Sequence, residues 1–419
     1  MSGLLDLPPE LLEQILLELD PPDVAAAAQT CRAVHELIYA PENELFWRKL
    51  YLCQPFDDPR TCRTPLGDPV REVDWKHALQ RIVRAHTVVN NPGACHPDER
   101  LTVVQTLLEL ARYTPPLSST QGDELSLNLV WLAALLRGGS FLDAPLWVPT
   151  AEEAQARAHL HTLFGLTTHD FRKRRRVDTR AFVYDFRNYS AKNIWGPFVQ
   201  DGSGRVNWEH VLALHHVMSM QIVPQEQGEQ QSYTIFPMSL PFTQSIVPPD
   251  LDLDTTEDWA GVEGFWQCAF SFIDHRDLLV FNKLLDRDPS HNDEVKTALF
   301  ERPDFAEVFG GLNVHLKLAR TEHDPEHPTR PILHFTGESK TGTTMAGYVC
   351  VTSDDNIRWH FESGQNGDNV WSSEGVQVGN VRSPFGVLGT WTTVTHDVGD
   401  PIGPFWMRRI PANNGQGFA

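Results

Sequence analysis

The chain has 419 residues, of which 41% are hydrophobic and 21% charged, and its formal net charge is −20. That length predicts two or three folding units of ordinary globular composition. A chain so acidic repels phosphate backbones and anionic lipid headgroups, so no nucleic-acid or membrane partner is expected.

No apolar run reaches the ~18 residues needed to span a bilayer. Met1 to Asp20 is leucine-rich but carries Asp6, Glu10, Glu13 and Glu18. It has neither a basic stretch nor a small-residue cleavage site, so it does not read as a signal peptide. The expected localisation is cytoplasmic and/or nuclear. Cys31, Cys53, Cys62, Cys95, Cys268 and Cys350 form no C-x-x-C pair. In a reducing compartment such cysteines are small buried hydrophobes. Cys95-His96 is an adjacent pair with no second pair to join it, so no metal and no cofactor are expected.

Leu7 to Tyr51 reads LPPELLEQILLELDPPDVAAAAQTCRAVHELIYAPENELFWRKLY. Pro8 and Pro9 stand where a helix starts. Leu11, Leu12, Ile15, Leu16 and Leu19 then form one apolar stripe. Asp20 is placed to cap a second helix, with Pro21 first in it and Asp23 in its first turn. That helix is small-sided, with Val24 followed by Ala25 to Ala28. A third would carry Ala33, Val34, Leu37 and Ile38, and Pro41 ends it. Leu45, Phe46, Trp47 and Leu50 begin a fourth. So small a core is marginal alone. Its leucine excess exceeds what it can hide, which points to a protein interface.

These residues resemble an F-box. The resemblance rests on Leu7, Pro8, Glu10, Leu11, Leu12, Ile15 and Leu16, then Asp23-Val24, Thr30-Cys31-Arg32 and Leu45-Phe46-Trp47. It covers about an eighth of the chain. It implies docking on the small Skp-type adaptor of a Skp–cullin–F-box ubiquitin ligase, through Leu7, Pro8, Leu11, Leu12, Ile15, Leu16, Leu19, Val24, Cys31, Leu45 and Trp47.

Residues 55–69 are rich in proline and polar groups and read as a linker or surface loop. Helical spacing returns in Trp75, Ala78, Leu79, Ile82 and Val83, and again in Leu101, Val104, Leu107, Leu108 and Ala111. It recurs in Leu125, Leu129, Leu132, Leu135 and Leu136, stopped by Gly138-Gly139. Thr150 and Glu153 have capping-box spacing, and Gly165 is placed to end that helix. Arg172 to Arg176 is the one basic run. It reads as a solvated patch before a strand carrying Phe182, Tyr184 and Phe186, ahead of an import signal or a site for acidic targets. Residues 199–210 imitate a calcium loop, but Val199 and His210 stand where its first and last ligands belong. A glycine turn and a helix capped by Asn207, with Val211, Leu214 and Met218 inward, is the better reading.

From about residue 230 the period changes to 2. Trp266, Cys268, Phe270 and Phe272 alternate with polar or small residues, as do Leu312 to Leu318 and Ile357 to Phe361. Further strands are expected at 346–352, 371–378 and 386–394, with turn signals at Ser353–Asn356 and Gly364–Asp368. Short strands at this spacing predict an antiparallel barrel or sandwich. Glu374 to Thr392 and Asp400 to Trp406 resemble segments of a poorly characterised fungal F-box family.

No G-x-S-x-G or H-E-x-x-H occurs. GESKTGTT at 337–344 lacks the order of a phosphate loop. Asp250, Asp252 and Asp254 lack the rest of a calcium loop.

The sequence therefore predicts an α+β protein in three units: an F-box over 1–54, a mainly helical subdomain over 70–220, and an antiparallel β-rich target-binding domain over 225–411. The expected function is that of a non-catalytic ubiquitin-ligase adaptor joining a Skp-type adaptor and cullin to an unknown protein target. The rival reading is a ligand-binding β-barrel whose F-box serves regulation or turnover.

Overall fold

The computed structural model describes residues 7–40, 43–119, 125–143, 147–223, 237–287, 297–365 and 368–411. The boundary at 225, the change of period near 230 and the Asn366-Gly367 turn lie outside the described residues.

Four short helices open the chain: α1 (Pro9–Leu17), α2 (Pro21–Ala28), α3 (Arg32–Tyr39) and α4 (Glu44–Leu52). Pro9 and Pro21 take the first helical positions, where a missing N–H removes no helix bond. Asp20 makes no side-chain cap. Pro21 and Pro22 have no N–H to offer it, and the Asp23 N–H donates to the Asp20 carbonyl at 2.9 Å instead. Leu16, Val24, Ala28, Ile38, Phe46, Trp47 and Leu50 form the core of this unit.

A helical layer follows: α5 (Trp75–Asn90), α6 (Arg100–Arg112), α7 (Leu127–Leu136), α8 (Ser140–Asp143), α9 (Ala151–Phe164), α10 (Lys173–Val183) and α11 (Trp208–Ile222). Asp74, Ser126, Thr150 and Asn207 each accept a backbone N–H at a helix start. The Thr150 capping box is only half formed. Glu153 is buried and its carboxylate accepts from Arg157 Nε at 2.8 Å and Trp147 Nε1 at 2.9 Å. Gly165, at φ +103°, ends α9 as expected.

The basic run begins helix α10, not a strand. Arginine and lysine are good helix formers, and three alternating aromatics are too short a window to fix a period. Phe182 lies in the last turn of α10, and Phe186 opens a 3-10 turn.

The C-terminal region is a closed antiparallel barrel of eight strands in sequence order: β1 (Gly264–Ile273), β2 (Glu307–Glu322), β3 (Ile332–Ser339), β4 (Thr343–Val351), β5 (Ile357–Gln365), β6 (Asp368–Gln377), β7 (Val387–Thr393) and β8 (Gly403–Ile410). β8 returns to β1 with Cys268 opposite Met407, so the sheet has no open edge. Helix α12 (His275–Arg287) interrupts the strands between β1 and β2. The sequence reading missed α12, β3 and β8. Residues 337–344 form the β3–β4 hairpin.

The barrel interior is filled by Trp266, Leu316, Phe335, Met345, Trp359 and Phe405, among others. Trp359 has no exposed surface and packs against Trp266 at 5.0 Å and Phe335 at 5.6 Å between ring centroids.

The helical layer is fused to one side of this barrel. α11 is buried nearly all round because α9 and α10 cover one face and β7 and β8 the other. Residues 55–69 are built into the junction. Asp57 accepts from the N–H groups of Leu127 and Asn128 at the start of α7. The Pro65 carbonyl accepts from Val381 N–H at 2.7 Å, and the Leu66 carbonyl from buried Arg330 at 3.0 Å. A single hydrophobic core runs from Leu16 and Trp47 through α5, α6 and α11 to Val376, Leu388 and Trp406 on the barrel wall.

Candidate functional site

The apolar residues of α1 and its two flanks divide between core and surface. Leu16 is buried, Leu17 and Leu19 pack against the same core, and Leu12 is half-buried. Leu7, Leu11 and Ile15 turn outward and are 36%, 45% and 43% exposed. The exposed three recur every four residues, so this short segment carries an open apolar edge beside its core edge. On α4, Leu45 is 58% exposed and Leu52 39%. Leu52, seven residues after Leu45 on the same helix, was not singled out from sequence. Its signal was that two-turn spacing.

The implied adaptor-contact residues therefore hold different places. Leu7, Pro8, Leu11, Ile15 and Leu45 are exposed; Leu12, Leu19 and Cys31 are half-buried; Leu16, Val24 and Trp47 are buried. Trp47 Nε1 donates to the Ile38 carbonyl at 3.1 Å. Its ring packs on Phe46 and Tyr39, and Lys76 of α5 lies over the Tyr39 ring at 4.8 Å. Asn43 donates to Glu13 at 3.2 Å and to the Leu37 carbonyl at 2.7 Å, tying the start of α4 to α1 and α3. The buried three hold the helices in register, and the exposed five are free to meet a partner.

Residues 4–53 match the F-box-like family model. This chain carries an F-box-like domain. F-box domains generally bind Skp-type adaptors, and the domain supports a general role as an adaptor of the Skp–cullin–F-box kind. No curated protein and no solved structure matches the chain.

Outside the F-box-like domain the barrel presents a polar and aromatic row. Register places His334 opposite Tyr348, Tyr348 opposite His360, and His360 opposite Glu374 across β3 to β6. His334, Tyr348 and His360 are half-exposed, and burial raises the Tyr348 phenol. Glu374 is buried where residues 195–198 cover the barrel. It accepts from Arg358 Nε and Arg358 Nη2 at 2.9 and 2.8 Å and lies 2.7 Å from His360 Nδ1. A buried carboxylate so paired is costly to disrupt, because removing one partner strands the other.

The basic run is largely partnered. Lys173 meets Glu301, Arg174 meets Asp178 and Arg175 meets Asp170. In the imitation calcium loop, Asp201 accepts from Arg205 and Ser203 within its own turn. A groove of about 560 Å³ lies between residues 59–74 and α5–α6, lined by Pro69, Val70, His77, Arg81 and Tyr113. Arg81 there is held by Glu109 at 2.8 Å and Thr106 at 3.1 Å.

Proposed function

We propose that this chain is a non-catalytic substrate adaptor of a Skp–cullin–F-box ubiquitin ligase, acting in the cytoplasm or nucleus. The F-box-like domain holds the Skp-type adaptor through Leu7, Pro8, Leu11, Ile15, Leu45 and Leu52. The helical layer and barrel present a protein target. The observation that carries this reading is the open apolar stripe of α1 inside the matched segment. An apolar row on so small a unit is most simply explained by a partner that covers it.

The continuous core from α1 to the barrel wall supports a mechanical role. A target on the barrel is held at fixed geometry from the ligase, which raises the effective concentration of its lysines near the conjugating enzyme. The row His334–Tyr348–His360 is the target face we favour, since aromatic and amphipathic side chains dominate interface energetics. The ligand-barrel reading is not favoured, because the interior is packed with Trp359, Phe335 and Met345.

The test is capture of purified Skp-type adaptor and cullin by the full chain, beside a variant with Leu7, Leu11 and Ile15 changed to alanine. Capture by the wild type, lost in a variant that melts normally, supports the reading. A folded wild type that captures neither protein overturns it.

A further inference from the structure

Asp143, His161 and Asp170 meet in the interior of the helical layer. Asp143 closes α8, His161 lies in the last turn of α9, and Asp170 sits in the turn before α10. Their side chains are 7%, 4% and 2% exposed. The ligand atoms of all three lie within 4.8 Å of one another. His161 Nε2 is 3.0 Å from Asp170 Oδ2 and 3.9 Å from Asp143 Oδ1. Zinc–nitrogen and zinc–oxygen bonds of ~2.0–2.2 Å place tetrahedral ligand atoms about 3.3–3.5 Å apart. The observed separations straddle that value.

Two features of the cluster leave room for a cation. The first is the proton count at Thr167. Its Oγ1 lies 2.8 Å from Asp143 Oδ1 and 3.1 Å from Asp170 Oδ2. A hydroxyl has one proton and can satisfy one of these carboxylates; Asp170 Oδ2 is also met by Thr167 N–H and His161 Nε2, so Asp143 is the less fully partnered of the two. The second is charge. Two desolvated carboxylates face His161, with His216 Nε2 3.9 Å from Asp170 Oδ1, and the nearest guanidinium, Arg175, is 3.4 Å from Asp170 Oδ1 and 35% exposed. Buried charges persist when paired or when they coordinate metals.

The surroundings are those of a held ligand set. Thr167 N–H donates to Asp170 Oδ2 at 2.9 Å, and Arg175 bonds the other oxygen. His216 of α11 is within hydrogen-bond distance of the Asp170 carbonyl, Nε2 to oxygen 2.9 Å. Such outer contacts fix the direction of ligating side chains. Gly139, at φ +69°, lets the chain close on the site. A Cβ there would stand 2.8 Å from Thr167 Cβ and 2.9 Å from Asp143 Oδ2.

We propose that Asp143, His161 and Asp170 bind one zinc-class divalent cation, with the Thr167 hydroxyl beside them, as a structural staple joining α8, α9 and the entry to α10. The donor set of one imidazole and two carboxylates suits a borderline first-row cation. The proposal is independent of the adaptor reading.

The experiment is titration of chelator-stripped full-length chain with Co²⁺ and then Zn²⁺, followed by visible spectroscopy and thermal melting. One equivalent of Co²⁺ with intense tetrahedral bands is expected, displaced by Zn²⁺, with a rise in Tm on loading. Asp143→Asn and His161→Gln should each weaken Co²⁺ binding at least ~tenfold, whereas His96→Ala should not. A folded wild type that shows no tetrahedral Co²⁺ spectrum, with Tm unchanged by metal, overturns the proposal without recourse to variants. So does a tetrahedral spectrum that survives in both ligand variants.

Discussion

The F-box-like domain and the barrel spend the same residue types in opposite ways. On α1, leucine and isoleucine point both inward and outward, because a four-helix unit has too little interior to hide them. In the barrel, closure removes every sheet edge and supplies an interior that takes Trp359, Phe335 and Phe405 completely. Apolar surface left open on a small unit is available to a partner. Apolar surface inside a closed sheet is available only to the fold. The helical layer joins the two, and its shared core makes the open face and the closed barrel parts of one packed body.

The largest expected effect lies in the barrel. Trp359→Ala removes a fully buried ring and should cost about 3–5 kcal/mol, measured by urea unfolding of the full chain. A single shifted transition would support one body; two transitions would divide barrel from helices and break the comparison.

The next test lies within α1. Leu16→Ala, a core position, should lower stability by about 2–4 kcal/mol. Leu11→Ala, one stripe over, should move stability by less than about 1 kcal/mol while lowering capture of the Skp-type adaptor at least ~tenfold. Equal effects of the two on stability and capture would erase the distinction between core and face.

A smaller effect is tied to pH. Burial lowers His210 to about 3, where its Nε2 lies 3.1 Å from the Tyr189 hydroxyl. The unfolded chain takes up a proton near pH 6.5 that the folded chain refuses. Stability is therefore full above pH 6.5 and is lost as pH falls toward about 3. His210→Phe should flatten this part of the profile, by about 2 kcal/mol between pH 7 and pH 4.5, read from thermal melts. An unchanged slope would remove His210 as its source.

The smallest is local. Thr150→Ala removes the side-chain oxygen that accepts from Glu153 N–H at 3.2 Å and should cost about 1 kcal/mol in the same melts, since Glu153 is held separately by Arg157.

Sequence alone determined the α+β class, the F-box-like segment, the helices opened by Asp74, Thr150 and Asn207, and the barrel strands other than β3 and β8. β4 and β5 keep a buried-exposed alternation because only one face is covered; β3 keeps one too, but its run was not read as a strand. Alternation fails where both faces are covered. β8 is buried along most of its length, with the interior on one side and α11 on the other, so its run PFWMRR has no period to read. Tertiary structure alone decided that residues 55–69 are built into the junction, because their partners at Leu127, Arg330 and Val381 are distant in the chain. It alone split the α1 leucines into core and face, since identical side chains differ only in what packs beside them. It alone brought Asp143, His161 and Asp170 together, because three helix ends converge on one point that no fixed spacing announces.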